Sequence, residues 1–142
     1  MAYTLLLQQE FPSRLFFVNM GATTIWEHWD GHRPDGSVWS KDMNSINHYA
    51  YGAVAEWMYG VMCSIRPDEN APGFENIIIA PEPDKRIEWA KASYDTGSGV
   101  VSSSWKFVNG VPQYEIVIPE GHTATVTVNG NTQKLSAGEY KY

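Results

Sequence analysis

The most regular stretch of the chain runs from Ser45 to Ile65, where Ile46, Ala50, Ala53, Val54, Trp57, Met58, Val61, Met62 and Ile65 recur at spacings of three and four. That is the period of one apolar helix face and predicts a buried helix. Asn44 or Ser45 can cap its start, and Arg66 followed by Pro67 marks its end, because proline disfavours helical geometry in the residue before it. Upstream, Tyr3 to Gln9 reads as the last turns of a helix and Ser13 to Met20 as a second short one entered through Pro12. Between Gly21 and Met43 the glycines, Pro34 and the Asp30-Gly31 and Asp35-Gly36 pairs predict a loop. A loop of about 20 residues inside a folded domain usually carries function.

The texture changes after Ile65. Arg66 to Gly73 contains Pro67, Asp68, Glu69, Asn70, Pro72 and Gly73, a linker composition that places a boundary near residue 70. Beyond it the apolar positions come in short β-rich runs: Ile77 to Ile79, Ile87 to Tyr94, Val100 to Val108, Tyr114 to Ile118 and Thr123 to Val128. Weaker runs follow at Gln133 to Leu135 and Glu139 to Tyr142. Asn109-Gly110 and Asn129-Gly130 are type I′ hairpin signals, so an antiparallel β-sandwich is expected after the boundary. Trp89, Tyr94 and Trp105 read mainly as sandwich core, and alternatively as a stacking platform if one exposed face carries them. The whole is α+β, with residues 1–70 helical and residues 71–142 forming the sandwich.

Composition narrows the function. Hydrophobic residues make up 43% and charged residues 18%, enough to bury a core, and the net charge of −6 offers nothing to grip a phosphate backbone. Nucleic acid is therefore not an expected partner. No run approaches the roughly 18 apolar residues of a membrane span, and no basic region precedes Leu5 to Leu7 as a signal peptide requires. Location stays open between cytoplasm, periplasm and export. Cys63 is alone and sits in the apolar helical pattern, which marks an inert core thiol. Four of the six tryptophans (Trp26, Trp29, Trp39, Trp57) fall in the first 57 residues among many polar groups. That mixture suits a sugar, whose ring faces are apolar and whose edge is hydroxylated, although on composition alone an aromatic-rich core is the favoured reading.

The segment Gly21-Ala22-Thr23-Thr24-Ile25-Trp26-Glu27-His28-Trp29-Asp30-Gly31 sets a carboxylate between two tryptophans. Large rings there would exclude water and poise Glu27 for acid–base work near neutral pH. On residue type alone the favoured reading is structural, with Glu27 capping a helix start or pairing with Arg33. Trp29 divides evenly between a sugar-stacking wall and core, and Thr23 and Thr24 are expected to fix the loop through local hydroxyl bonds.

Together with Phe11-Pro12-Ser13 and the later block Ser45-Ile46-Asn47-His48-Tyr49-Ala50-Tyr51-Gly52-Ala53-Val54, this segment resembles bacterial α-L-rhamnosidases in both order and spacing. The likeness continues through Ile77-Ile78-Ile79, Pro81, Pro83, Trp89 to Tyr94 and Trp105. It implies that residues 1–70 are the last helices and the active-site loop of an (α/α)6 barrel, and that residues 71–142 are a C-terminal β-sandwich. It also implies that Glu27 is the general base of an inverting mechanism and that His48 contacts the substrate. Two positions depart from the family pattern: Arg14 stands where an aromatic residue is more frequent, and His28 where arginine is. The family's general acid and most barrel helices precede the point where this chain begins, so it reads as a C-terminal piece with Met1 an internal or artificial start.

An inverting hydrolase needs an acid and an opposing base about 6.5–9.5 Å apart. Asp30 and Asp42 are the nearest carboxylates for the acid, and Asp30 is only three residues from Glu27, too local to sit across a sugar. His48 falls in the first turn of its predicted helix, where the positive helix end favours a neutral ring able to bond a sugar hydroxyl, or where the ring simply caps the helix. Neither metal nor other cofactor is implied: His28 and His32 flank Asp30 in a Gly- and Pro-containing loop with no third ligand at helical spacing. The expected partner is a rhamnose-containing glycoside or oligosaccharide, and barrel faces left open suggest self-association. The competing reading is a non-catalytic carbohydrate-binding or structural sandwich, and for the sandwich alone the structural role is favoured.

Overall fold

A computed structural model describes residues 1–142, and the chain folds as two units, Met1–Val54 and Ala55–Tyr142. Helix α1 (Ala2–Leu7) stops when Gln8 turns extended, two residues before the expected end at Gln9. Helix α2 (Arg14–Asn19) is opened by Ser13, whose hydroxyl accepts from the Phe16 amide at 3.0 Å. Pro12 therefore lies ahead of the cap rather than in the first turn. From Gly21 to His48 the chain is loop, crossed by a single bridge between His32 and Val38. The first unit is organised around Phe17 and Trp26, both buried, with ring centroids 4.8 Å apart.

The long helix expected over Ser45 to Ile65 is shorter and changes geometry as it runs. His48, not Asn44 or Ser45, is its cap; a 3₁₀ turn (Tyr49–Ala53) leads into α3 (Val54–Trp57) and a π turn (Met58–Met62). Only Met62 of these residues is buried, so the apolar period marks a face that this chain itself leaves largely uncovered. The helix also ends before Pro67. Ser64 adopts a positive φ of 53°, a left-handed conformation that cannot continue a helix. Its hydroxyl accepts from the Ala80 amide at 2.8 Å.

The second unit carries six strands: β1 (Arg66–Pro67), β2 (Asn76–Ile79), β3 (Trp89–Asp95), β4 (Val100–Val108), β5 (Val111–Val128) and β6 (Asn131–Lys141). The linker-like residues after Ile65 are tied into this unit. Arg66 and Pro67 pair with β2, and Asp68 accepts from Asn70 and Asn76. Both predicted hairpin turns form, with Asn109-Gly110 and Asn129-Gly130 at positive φ throughout, as a type I′ turn requires. The fold is α+β, with a curled sheet.

Two runs that read as separate strands, Tyr114 to Ile118 and Thr123 to Val128, are one long strand, as are the two weak runs that become β6. Strand β5 passes through Pro119–His122 as a bulge, with Gly121 at φ 81°. Strand β6 follows one edge of β5 on both sides of that bulge. On the other edge β4 pairs with residues 111–117 and β2 with residues 123–126, so β4 and β2 meet β5 end to end. The β2/β5 pair is parallel, a departure from the all-antiparallel expectation that is available because β3 and β4 intervene in sequence and no hairpin fixes its direction. His122 holds the bulge: its Nδ1 donates to the Phe74 carbonyl at 2.7 Å and Nε2 meets the Ser98 hydroxyl at 2.8 Å.

Inside the sheet, Ile77, Ile79, Val101, Ile116, Ala124 and Val126 are fully buried, and Trp105 joins them at 2% exposure. Trp89 and Tyr94 do not. Ala90 is the residue paired with Trp105, so its neighbour Trp89 must stand on the opposite face, where it is 64% exposed. Tyr94 sits near the end of β3, exposed beyond its contact with Phe74. The three aromatic residues therefore neither form one core group nor share one face.

Cys63 is buried beneath this sheet, and burial pushes its thiol up to about 11. At neutral pH it stays protonated, and only the thiolate is nucleophilic. Folded protein is expected to resist a disulfide reagent such as dithionitrobenzoate at pH 8 and to react with one equivalent once urea unfolds it. Rapid labelling of the folded protein would contradict the buried placement.

Candidate active site

Glu27 belongs to a loop segment that is paired, residue by residue, with a second one. The Glu27 amide donates to the Ser45 carbonyl at 2.9 Å, the His48 amide donates to the Ile25 carbonyl at 2.7 Å, and the Thr24 hydroxyl donates to the Ile46 carbonyl. Residues 24–27 and 45–48 thus form a short two-stranded ladder without regular strand geometry. Thr24 acts across that ladder, 22 residues away in sequence, rather than locally as expected. The consequence is that Glu27 and His48 are carried by two facing segments.

The Glu27 carboxylate is fixed in turn. Its Oε2 accepts from the Ser45 amide at 2.9 Å, and no hydrogen bond reaches Oε1. The side chain is 28% exposed, and the His28 ring lies beside it with Nε2 3.9 Å from Oε2, too far for a hydrogen bond. Arg33, the partner that a purely structural Glu27 would have used, is bound to Asp30 instead, its Nε and Nη2 donating to Oδ2 at 3.1 and 2.8 Å. Asp30 is consumed by that pair, and Asp42 is exposed in the turn after Ser40. Glu27 is left as a positioned carboxylate with one oxygen available.

His48 is the cap of the turn that begins at Tyr49, and its Nδ1 accepts from the Ala50 amide at 3.3 Å. A nitrogen that accepts carries no proton, so a neutral ring bears its proton on Nε2, the atom able to donate to a ligand. Capping and ligand contact are therefore compatible uses of one ring. Trp29 is half-buried with one face on Tyr51, centroids 4.0 Å apart and nearly parallel, and it also touches Phe17 at 5.2 Å. Trp26 lies in the core between Phe17 and His32.

The two departures from the family pattern have visible uses. Arg14 donates through Nε to the Tyr51 carbonyl at 2.9 Å, tying α2 to the turn that carries Tyr51. His28 stacks on Trp39 with centroids 3.9 Å apart. His28 and His32 thus pack against different tryptophans, Trp39 and Trp26. Sequence reasoning did not identify the Ser45 amide as the partner of Glu27, nor Trp39 and Tyr51 as the supports of His28 and Trp29. A backbone amide leaves no residue-type signal, whereas the aromatic richness of the loop was visible.

The profile of the bacterial alpha-L-rhamnosidase 6 hairpin glycosidase domain matches residues 1–62, and that of the bacterial alpha-L-rhamnosidase C-terminal domain matches residues 65–142. The chain belongs to the bacterial α-L-rhamnosidase family. It is 39% identical over 127 residues to an alpha-L-rhamnosidase of Streptomyces avermitilis, and 39% identical over 134 residues to one of Formosa agariphila. Those matches take in 89% and 94% of this chain but 12% and 14% of the relatives, so the chain spans about one-eighth of their length. Among solved structures it is similar to Streptomyces avermitilis alpha-L-rhamnosidase complexed with L-rhamnose, with a TM-score of 0.88 at 31% identity, covering 98% of this chain and 15% of that one. It is equally similar to native α-L-rhamnosidase from Aspergillus terreus, with a TM-score of 0.88 at 32% identity, covering 99% of this chain and 16% of that one. The agreement extends over both the helical and the β-rich parts of the rhamnosidase segment.

Proposed function

We propose that this chain is part of a glycoside hydrolase that releases terminal α-L-rhamnose with inversion, and that Glu27 is its general base. The observation that carries the reading is the carboxylate itself: Oε2 pinned by the Ser45 amide, Oε1 unpartnered, and the segment bearing it laddered against the one bearing His48. Oε1 accepts a proton from a water molecule as that water attacks the anomeric carbon. At the same time the bond to the leaving oxygen breaks and that oxygen takes a proton from an acid on the opposite side of the sugar. Neither Asp30 nor Asp42 is placed for that second role, so the acid comes from residues outside these 142. His48 donates from Nε2 to a sugar hydroxyl, and Trp29, backed by Tyr51, forms a wall against the ring. Support also comes from the related structure with bound L-rhamnose. In this reading residues 1–70 belong to the catalytic barrel and residues 71–142 to an accessory domain.

Proton NMR during hydrolysis of an aryl α-L-rhamnoside tests the reaction. The full-length protein carrying this segment is expected to release β-L-rhamnose first, with the α anomer appearing only by mutarotation. The isolated 142-residue chain, lacking the acid, is expected to show no turnover. Initial release of the α anomer, or ready hydrolysis by the isolated chain, would overturn the assignment.

A further inference from the structure

Trp89 opens β3 with its indole on the sheet face away from the core, 64% exposed. Cross-strand register lays out what surrounds it. One row runs Trp89, Lys106, Gln113; the next runs Lys91, Ser104, Glu115, Lys141. Ser104 is the short member among long side chains, and the groove along these strands has a volume of about 250 Å3. Its donors and acceptors are of several kinds: hydroxyl, amide, ammonium and carboxylate beside one flat aromatic ring. That combination matches a pyranose, which offers an apolar face to the ring and hydroxyls around its edge.

The charges narrow the ligand further. Lys141 pairs with Glu115 at 3.2 Å, and no carboxylate pairs with Lys91 or Lys106. Two uncompensated ammonium groups thus flank the exposed indole in a chain whose net charge is −6. A neutral sugar would leave both unanswered. Glu115 is offset by Lys141, so the balance of charge on this face is positive although that of the whole chain is not. We infer that this outer face of the β-rich unit binds an acidic oligosaccharide, one ring stacked on Trp89 and its uronate carboxylates paired with Lys91 and Lys106. The site is separate from Glu27 and does not depend on the reading of that residue.

Titration of the 142-residue chain with a short oligomer of galacturonic acid, followed by calorimetry and by the indole N–H signals in NMR, tests it. Saturable binding is expected, with the Trp89 indole resonance shifting. Affinity should fall about tenfold or more in Trp89→Ala and in the double variant Lys91→Gln/Lys106→Gln. It should also fall as salt rises, because the screening length shrinks from about 10 Å at 0.1 M to about 3 Å at 1 M. The galactose oligomer of equal length should bind at least about tenfold more weakly. Glu27→Gln should bind like the unaltered chain, which keeps this outcome distinct from the fate of the catalytic proposal. Equal binding by Trp89→Ala, equal binding of the neutral oligomer, or no binding at millimolar concentration would each overturn the inference.

Discussion

Replacing Glu27 with Gln in the full-length protein is expected to lower kcat on an aryl α-L-rhamnoside by about two to four orders of magnitude, the usual contribution of a general base. The amide keeps the shape of the carboxylate, and its oxygen can still accept from the Ser45 amide that holds Oε2 at 2.9 Å. What it loses is basicity. KM should therefore stay within a few-fold, since binding is left in place. Glu27→Asp tests placement: the carboxylate survives but draws back from the water, and a misplacement of about 1 Å can cost on the order of a hundredfold. Near-normal kcat in Glu27→Gln, with melting unchanged, would return Glu27 to a structural role as an acceptor for Ser45.

How much of this was legible in the sequence depended on whether the physical cause was local. Asn109-Gly110 and Asn129-Gly130 could be read directly, because a type I′ turn needs positive φ at both positions and these residue types supply it. The helix ends could not. Apolar spacing extends from Ser45 to Ile65, but the start is set by the His48 ring reaching Ala50 and the end by the left-handed backbone of Ser64. Likewise Pro119-Glu120-Gly121 carries every local mark of a turn, and only the tethering of His122 to Phe74 and Ser98 lets β5 run through it. The candidate site divides in the same way. Glu27 between two tryptophans was visible, and resemblance supplied the role proposed for it. The ladder to residues 45–48 was not visible, since backbone pairing between irregular loops leaves no period. Trp89 is a further case, because its place outside the core follows from the register that pairs its neighbour Ala90 with Trp105.

Trp105→Ala should be the most damaging single change in the β-rich unit. The indole is almost wholly buried, and its Nε1 donates to the Met62 carbonyl at 2.7 Å, so one side chain both fills the core of the sheet and satisfies the last turn of the helix that precedes it. Truncation removes the ring and leaves a cavity, at a cost of about 3–5 kcal/mol for a buried aromatic residue. Against a total stability of about 5–15 kcal/mol for an ordinary domain, that is enough to leave a marginal unit largely unfolded. Trp105→Phe separates the two contributions. It keeps most of the apolar filling and withdraws only the donor, leaving the Met62 carbonyl unsatisfied at a cost of about 1–3 kcal/mol. Urea unfolding followed by circular dichroism should thus rank the unaltered chain above Trp105→Phe and that variant well above Trp105→Ala. The slope with urea should be unchanged in Trp105→Phe if the unfolding reaction is the same. Equal losses in the two variants would mean that the hydrogen bond to Met62, and not the packing of the ring, dominates at this position. A loss below about 1 kcal/mol in Trp105→Ala, the scale of an ordinary surface substitution or less than a core one, would mean that Trp105 is not the centre of the core.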